Sequence, residues 1–212
     1  MPYRIFSRHG ESECNVANTT RRVFTGQFDT PLTPHGEEEA RELGRVLAAR
    51  DDIRLSLAVS SQLIRARETA RLALEQLPHP VRLACIPALN ERSLGIFQGR
   101  PAEEVYAEFP QYRDDPAFNK FPQDFVQKAP GGENLTDVTN RAWPVIEELE
   151  QTEGNILIVS HMIVFRCILA RMFDLTEDAM NNLQIPHAQP IIVELRKGEY
   201  RLREGLEMEK TA

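Results

Sequence analysis

Two hydrophobic periods alternate along this chain. Tyr3-Arg4-Ile5-Phe6-Ser7 and residues 55–60, 81–86, 155–160 and 190–195 are short apolar runs, which predict strands. The run NILIVS at 155–160 is nearly continuous and reads as a central strand buried on both faces. Between these runs the spacing becomes helical. In TPHGEEEARELGRVLAAR (33–50), Ala40, Leu43, Leu47 and Ala48 form one stripe. Thr33 is a plausible N-cap there, and Pro34 fits the first helical position, where a missing N–H costs nothing. Ser61 is placed to cap a second helix, buried through Ala66, Ala70, Ala73, Leu74 and Leu77. Residues 101–109 predict a short helix. Leu135, Val138, Ala142, Val145, Ile146 and Leu149 mark a longer one that Pro144 is expected to kink or break. HMIVFRCILARMF (161–173) is apolar almost all round, as a buried helix would be.

Strands that alternate with helices imply an α/β fold, a three-layer α/β/α sandwich around a mostly parallel central sheet. No boundary between compact domains shows, so residues 1–212 are expected to form one domain. Residues 110–134, rich in proline, aspartate and glycine, form a lid-like excursion from it.

Composition narrows the function classes. The chain has 212 residues and a formal net charge of -7, which argues against nucleic acid and acidic membranes as partners. An anionic small molecule would need a local cluster of arginines inside that negative envelope. No stretch approaches the roughly 18 apolar residues of a membrane span. Three cysteines, Cys14, Cys85 and Cys167, show no metal-ligand spacing, and a reduced, cytoplasmic protein is expected.

The candidate chemistry lies at two strand ends. SRHGESECN (7–15) follows the first strand, with Arg8 and His9 where the strand hands over to a loop and Gly10 permitting the turn. His161 follows the central strand in the same way. Parallel neighbouring strands would bring the two histidines together at the carboxyl edge, where open sheets bind ligands. His35, His79 and His187 have no such context and read as surface or structural residues.

RHGESECN resembles the signature of the histidine phosphatase, or phosphoglycerate-mutase-like, superfamily. FTGQFDTPLTPHGEEEA, SSQLIRARETA, LNERSLGIFQG, PGGENLTDV and ILIVSHMIVFR resemble its later motifs in the same order, over most of residues 3–195. The resemblance implies a phosphohistidine formed on His9. Arg8 and Arg65 would hold the phosphoryl oxygens, and His161 would donate to them. Glu91 would be the general acid and later the base, with Glu11 as the alternative acid. Asn15, Thr25, Gly26 and Met162 match positions that line the phosphate or the substrate end. The family works without a metal, so no metal and no cofactor is expected. The implied partner is a small phosphorylated substrate, and a homodimer stays open.

Within that family the chain departs from the mutases. Leu94 stands where their acid loop has tyrosine. Their lid's Arg-Arg pair is missing, with only Arg113, Lys120 and Lys128 scattered there. Met162 replaces the usual glycine after the second histidine. The segment between Asn15 and Gly26 is also a few residues longer and carries Arg21 and Arg22, which are expected to reach a substrate's distal end or else to form a solvated surface pair. A phosphomonoesterase is therefore favoured over a 2,3-bisphosphoglycerate-dependent phosphoglycerate mutase. A non-catalytic phosphoester-binding protein comes third.

Overall fold

A computed structural model describes residues 2–196 and 199–206; the remainder of the expected 1–212 domain lies outside the described residues. Six strands form one sheet in the order β3-β2-β4-β1-β5-β6. β1 (Tyr3–Arg8) runs parallel to β4 (Asn155–Ser160). β2 (Leu55–Ser60) lies parallel on the other side of β4, and β3 (Leu83–Cys85) is parallel to β2. β5 (Ile191–Arg196) and β6 (Glu199–Glu204) complete the sheet as antiparallel strands. The mostly parallel sheet is as expected.

Every residue of β4 is buried, as its unbroken apolar run requires. Successive side chains then feed opposite cores. Phe6, Ile156 and Ile158 join one cluster with Leu135, Ile146, Phe165 and Leu169. Ile5 and Leu157 join the other with Leu43, Leu47, Ala66 and Ala70. One face is thus covered by α2 (Pro34–Ala48) and α3 (Ile64–Leu74), and the other by α6 (Leu135–Glu150) and α7 (Met162–Phe173). Thr33 does cap α2, its hydroxyl accepting the Gly36 N–H at 3.0 Å.

Several local expectations need correction. α6 continues through Pro144 without a break. Pro144 is exposed, and so is Asn140, whose carbonyl loses its helical partner there and can turn to water. The strand expected at 81–86 shrinks to the three residues of β3. Ser61 does not cap α3, whose N-cap is Leu63. α1 (Glu13–Thr20), α8 (Glu177–Asn182) and β6 were not predicted. α1 buries no residue and has no apolar stripe to read, while β6 is an edge strand whose only inward residues, Tyr200 and Leu202, alternate with charges.

The excursion at 110–134 contains a short helix, α5 (Gln111–Asp114), after α4 (Ala102–Glu108). It is fastened by its own apolar cluster. Tyr112, Phe121 and Ala129 pack with Phe24, Leu94, Phe97 and Val105. This third cluster lies under the segments that carry Gly26 and Glu91, so it fixes one side of the site.

Candidate active site

The register of β1 on β4 sets the site. Arg8 is opposite Ser160, so the next residues, His9 and His161, leave the sheet together. The His9 N–H continues the ladder to the Ser160 carbonyl at 3.0 Å. The two imidazole centroids are 5.1 Å apart, and both rings are buried. Gly10 is needed for a reason other than turn freedom. A Cβ on Gly10 would stand 2.3 Å from the Gly36 carbonyl oxygen, and one on Gly36 would stand 2.0 Å from that of Glu11. The nucleophile loop therefore crosses the start of α2 backbone against backbone, and only glycine fits. The Gly10 N–H then donates to Thr69 on α3 at 3.0 Å.

Hydrogen bonding fixes the His9 tautomer. Its Nδ1 is 2.7 Å from the Gly10 carbonyl oxygen, which can only accept, so Nδ1 carries the proton and Nε2 the lone pair. Burial holds the His9 pKa well below 6.5, and Arg65 and Arg8 push it further down. His161 is lowered in the same way by burial and then by Arg65, His9 and Arg8. Both rings are neutral at physiological pH. His161 Nε2 lies 2.7 Å from the Ser61 hydroxyl, and its Nδ1 is buried without a partner.

Arg65 enters from the first turn of α3. Its terminal nitrogens donate to the carbonyls of Phe28 at 3.0 Å and Gly26 at 2.9 Å. Gly26 adopts φ +50°, and a Cβ there would press on Gln98, Leu94 and the Arg92 carbonyl. Arg8 donates to the Ile185 carbonyl at 3.2 Å, and its Nε has no partner. Burial lowers the Arg8 pKa to about 10, so it stays charged at neutral pH. The negative charge of Glu91 acts on both guanidiniums. The Glu91 backbone carbonyl accepts from Gln27 at 2.8 Å and Arg141 at 3.1 Å, while its Oε1 accepts the Arg92 N–H at 2.8 Å. Arg141 is in turn paired with Glu133 at 2.7 Å. Glu11 instead takes a hydrogen bond from Thr33 at 2.8 Å.

The other expected residues divide. Asn15 closes a capping box on α1, its Oδ1 accepting from the Ser12 N–H and hydroxyl, which leaves its NH2 group with no protein partner among the described residues. Thr25 accepts from Asn18 at 3.3 Å. Met162 opens α7 and packs against the larger core cluster. Its backbone N–H belongs to the helix turn that has no intrahelical acceptor. Arg21 and Arg22, read as reaching a substrate's distal end or else as a solvated surface pair, each have a partner within the chain. Arg21 pairs with Glu104 at 2.9 Å on the surface, and the Arg22 guanidinium lies over the Phe24 ring at 5.2 Å.

Sequence reasoning missed three residues packed around this centre. His187, read as surface or structural, lies beside His9 with ring centroids 5.5 Å apart and the rings tilted at 55°. Arg166 is buried and donates from Nε to the Leu183 carbonyl at 2.8 Å. Arg92 donates to the Phe121 carbonyl at 2.7 Å and ties the acid loop to the excursion. A guanidinium inside the apolar segment 161–173 was the one available signal for Arg166. Among the described residues no group of three or more His, Cys, Asp or Glu is arranged to hold a metal ion, and no helix is long and apolar enough to cross a membrane.

A three-layer α/β/α sheet with two neutral histidines and two guanidiniums at its carboxyl edge defines a class of phosphoryl-transfer enzymes. The chain belongs to the histidine phosphatase superfamily (branch 1), whose model matches residues 5–205. A 2,3-bisphosphoglycerate-dependent phosphoglycerate mutase 2 of Gloeobacter violaceus is 30% identical over 92% of this chain and 86% of its own length. A 6-phosphofructo-2-kinase/fructose-2,6-bisphosphatase of Caenorhabditis elegans is 32% identical over 88% of this chain, which spans 37% of that protein. Among solved structures, a putative alpha-ribazole-5'-P phosphatase of Escherichia coli aligns with TM-score 0.82 and 25% identity, covering 97% of this chain and 96% of that one. A mycobacterial glucosyl-3-phosphoglycerate phosphatase aligns with TM-score 0.77 and 26% identity, covering 96% and 98%.

Proposed function

We propose that this chain is a phosphomonoesterase that acts on a small phosphorylated metabolite through a phosphohistidine on His9. The observation that carries the reading is the neutral His9 imidazole, with Nδ1–H tied to Gly10 and the Nε2 lone pair left free near the guanidiniums of buried Arg65 and half-buried Arg8. In the first step Nε2 attacks phosphorus while the ester P–O bond breaks. Glu91, which binds a proton as the substrate enters, gives that proton to the leaving oxygen. Arg8, Arg65, His161 and the first N–H groups of α7 hold the three equatorial oxygens, where charge is spread. In the second step the Glu91 carboxylate takes a proton from water, water attacks phosphorus, and the N–P bond breaks to release inorganic phosphate. Asn15, Thr25 and Gly26 would line the phosphate or the substrate end of this site, with Met162 beside them at the start of α7.

Hydrolysis is favoured over mutase turnover by what surrounds the acid. Leu94 is buried in the aromatic cluster and offers no hydrogen bond to a carboxylate. Of the cations in the excursion, Arg113 pairs with Asp114 at 2.7 Å and Lys128 with Asp137 at 2.8 Å. The mutases among the relatives support the second reading, phosphoglycerate mutase. A panel of phosphorylated metabolites assayed for phosphate release, beside a mutase assay with and without bisphosphoglycerate, separates the two. Phosphate release that exceeds isomerisation is expected, and the reverse ranking makes the chain a mutase.

A further inference from the structure

Ser61 follows β2, two residues before the Leu63 N-cap of α3, and is shielded from solvent. It is fully buried, and its backbone N–H donates to the Val159 carbonyl at 3.0 Å. This bond ties Ser61 to the residue just before the strand end that releases His161. Its hydroxyl oxygen already accepts the Leu63 N–H at 3.1 Å. The remaining close partner is His161 Nε2, at 2.7 Å. No other acceptor for the hydroxyl proton is present among the described residues. The economical arrangement is therefore O–H donating to Nε2, with Nε2 as a lone pair.

A neutral imidazole carries one N–H. If Nε2 accepts, the proton is on Nδ1. That atom is the one buried side-chain nitrogen of the histidine pair left without a partner. A buried donor with nothing to bind costs free energy, and such atoms collect where a ligand supplies the acceptor. The ring stands 5.1 Å from the His9 ring, beside the atom that would carry the phosphoryl group.

We propose that Ser61 is a positioning residue that fixes the Nδ1–H tautomer of His161 and so aims a single N–H donor at the transferring phosphoryl group. The role in turnover rests on the phosphatase reading above; the tautomer does not. Without the hydroxyl, Nε2 has no donor to accept from, and the buried ring is free to take the opposite tautomer. That tautomer presents a lone pair to the phosphoryl oxygens, where it repels rather than binds.

The test is a long-range 1H–15N spectrum of the histidine side chains in the full chain at pH 7.5, with His161 assigned by its loss in His161→Asn. The wild-type ring should be Nδ1-protonated. In Ser61→Ala it should become Nε2-protonated or mixed, with kcat for the best substrate down by about 100-fold and KM changed far less. Ser61→Thr keeps the hydroxyl and should restore both the tautomer and kcat. A wild-type spectrum showing Nε2–H overturns the proposal even if Ser61→Ala does not fold. So does a Ser61→Ala enzyme with undiminished kcat. Absence of phosphatase activity in the wild type would count against the phosphatase reading and leave the tautomer to be judged by the spectrum.

Discussion

The imidazole of His187 donates its Nδ1–H to the backbone carbonyl of His9 over 2.8 Å. It reaches that place because the chain before β5 is pinned to β1. The Ala188 N–H donates to the Arg8 carbonyl at 2.9 Å, and Arg8 and Arg166 hold the Ile185 and Leu183 carbonyls. Ala188 adopts φ +43°, a left-handed conformation that a non-glycine residue holds only under constraint from its surroundings. The ring therefore packs beside the proposed nucleophile, its centroid 5.5 Å from that of His9. His187→Ala should lower kcat by about 10-fold while KM stays within about 2-fold, because a small misplacement of the attacking nitrogen costs rate rather than binding. His187→Asn, which can keep the donor, should lose less. Steady-state kinetics on one substrate decides it.

The buried neutral histidines make stability depend on pH. In the unfolded chain a histidine titrates near 6.5, and in the fold His9 and His161 are held well below that value. Between the two values the unfolded state binds more protons, so stability is complete above about pH 6.5 and is lost as the pH falls toward the folded values. Each such histidine contributes a slope of up to about 1.4 kcal/mol per pH unit in that window. Thermal melts from pH 8 to pH 5 should show this fall, and His161→Asn should shallow it.

Glu91 should matter in proportion to the leaving group. Its carboxylate is the foremost anionic influence on both Arg8 and Arg65, and its loop is held by Gln27 and Arg141. Glu91→Gln should slow alkyl phosphates by about 100-fold or more and an activated aryl phosphate by much less. The ratio of the two rates for each enzyme is the measurement. Equal slowing would assign the proton to another group.

The contact of Gly10 with Gly36 should be intolerant of one methyl. Gly36→Ala would place a Cβ 2.0 Å from the Glu11 carbonyl oxygen. The loop after the strand has to move, at an expected cost of about 1–3 kcal/mol as in other overpacked cores. Urea unfolding reads the loss, and kcat should fall with it because His9 lies on that loop.

The layers of the fold were legible because they rest on local periodicity. NILIVS could only be central, and the Ala40–Leu43–Leu47 stripe could only face a sheet. The two histidines were legible because each follows a strand that its own sequence announces. What stayed hidden depends on tertiary direction. Ser61 reads as a helix cap, and only the approach of β2 to β4 shows that its hydroxyl faces His161. His187 lies 178 residues from His9, and nothing near it in the chain marks the contact. Gly10 was legible as a requirement, but its cause is the backbone of α2 rather than a turn. The partners of Arg21 and Arg22, Glu104 and Phe24, are set by the fold and have no mark in the sequence.

The central claim is covalent chemistry at His9, and rapid quench with a 32P-labelled substrate tests it most directly. Protein stopped within the first turnover should carry label that is lost in acid and kept in base, mapped to the peptide containing His9 and absent from His9→Asn. Hydrolysis with no labelled protein at any quench time, or full activity in His9→Asn, would contradict the account.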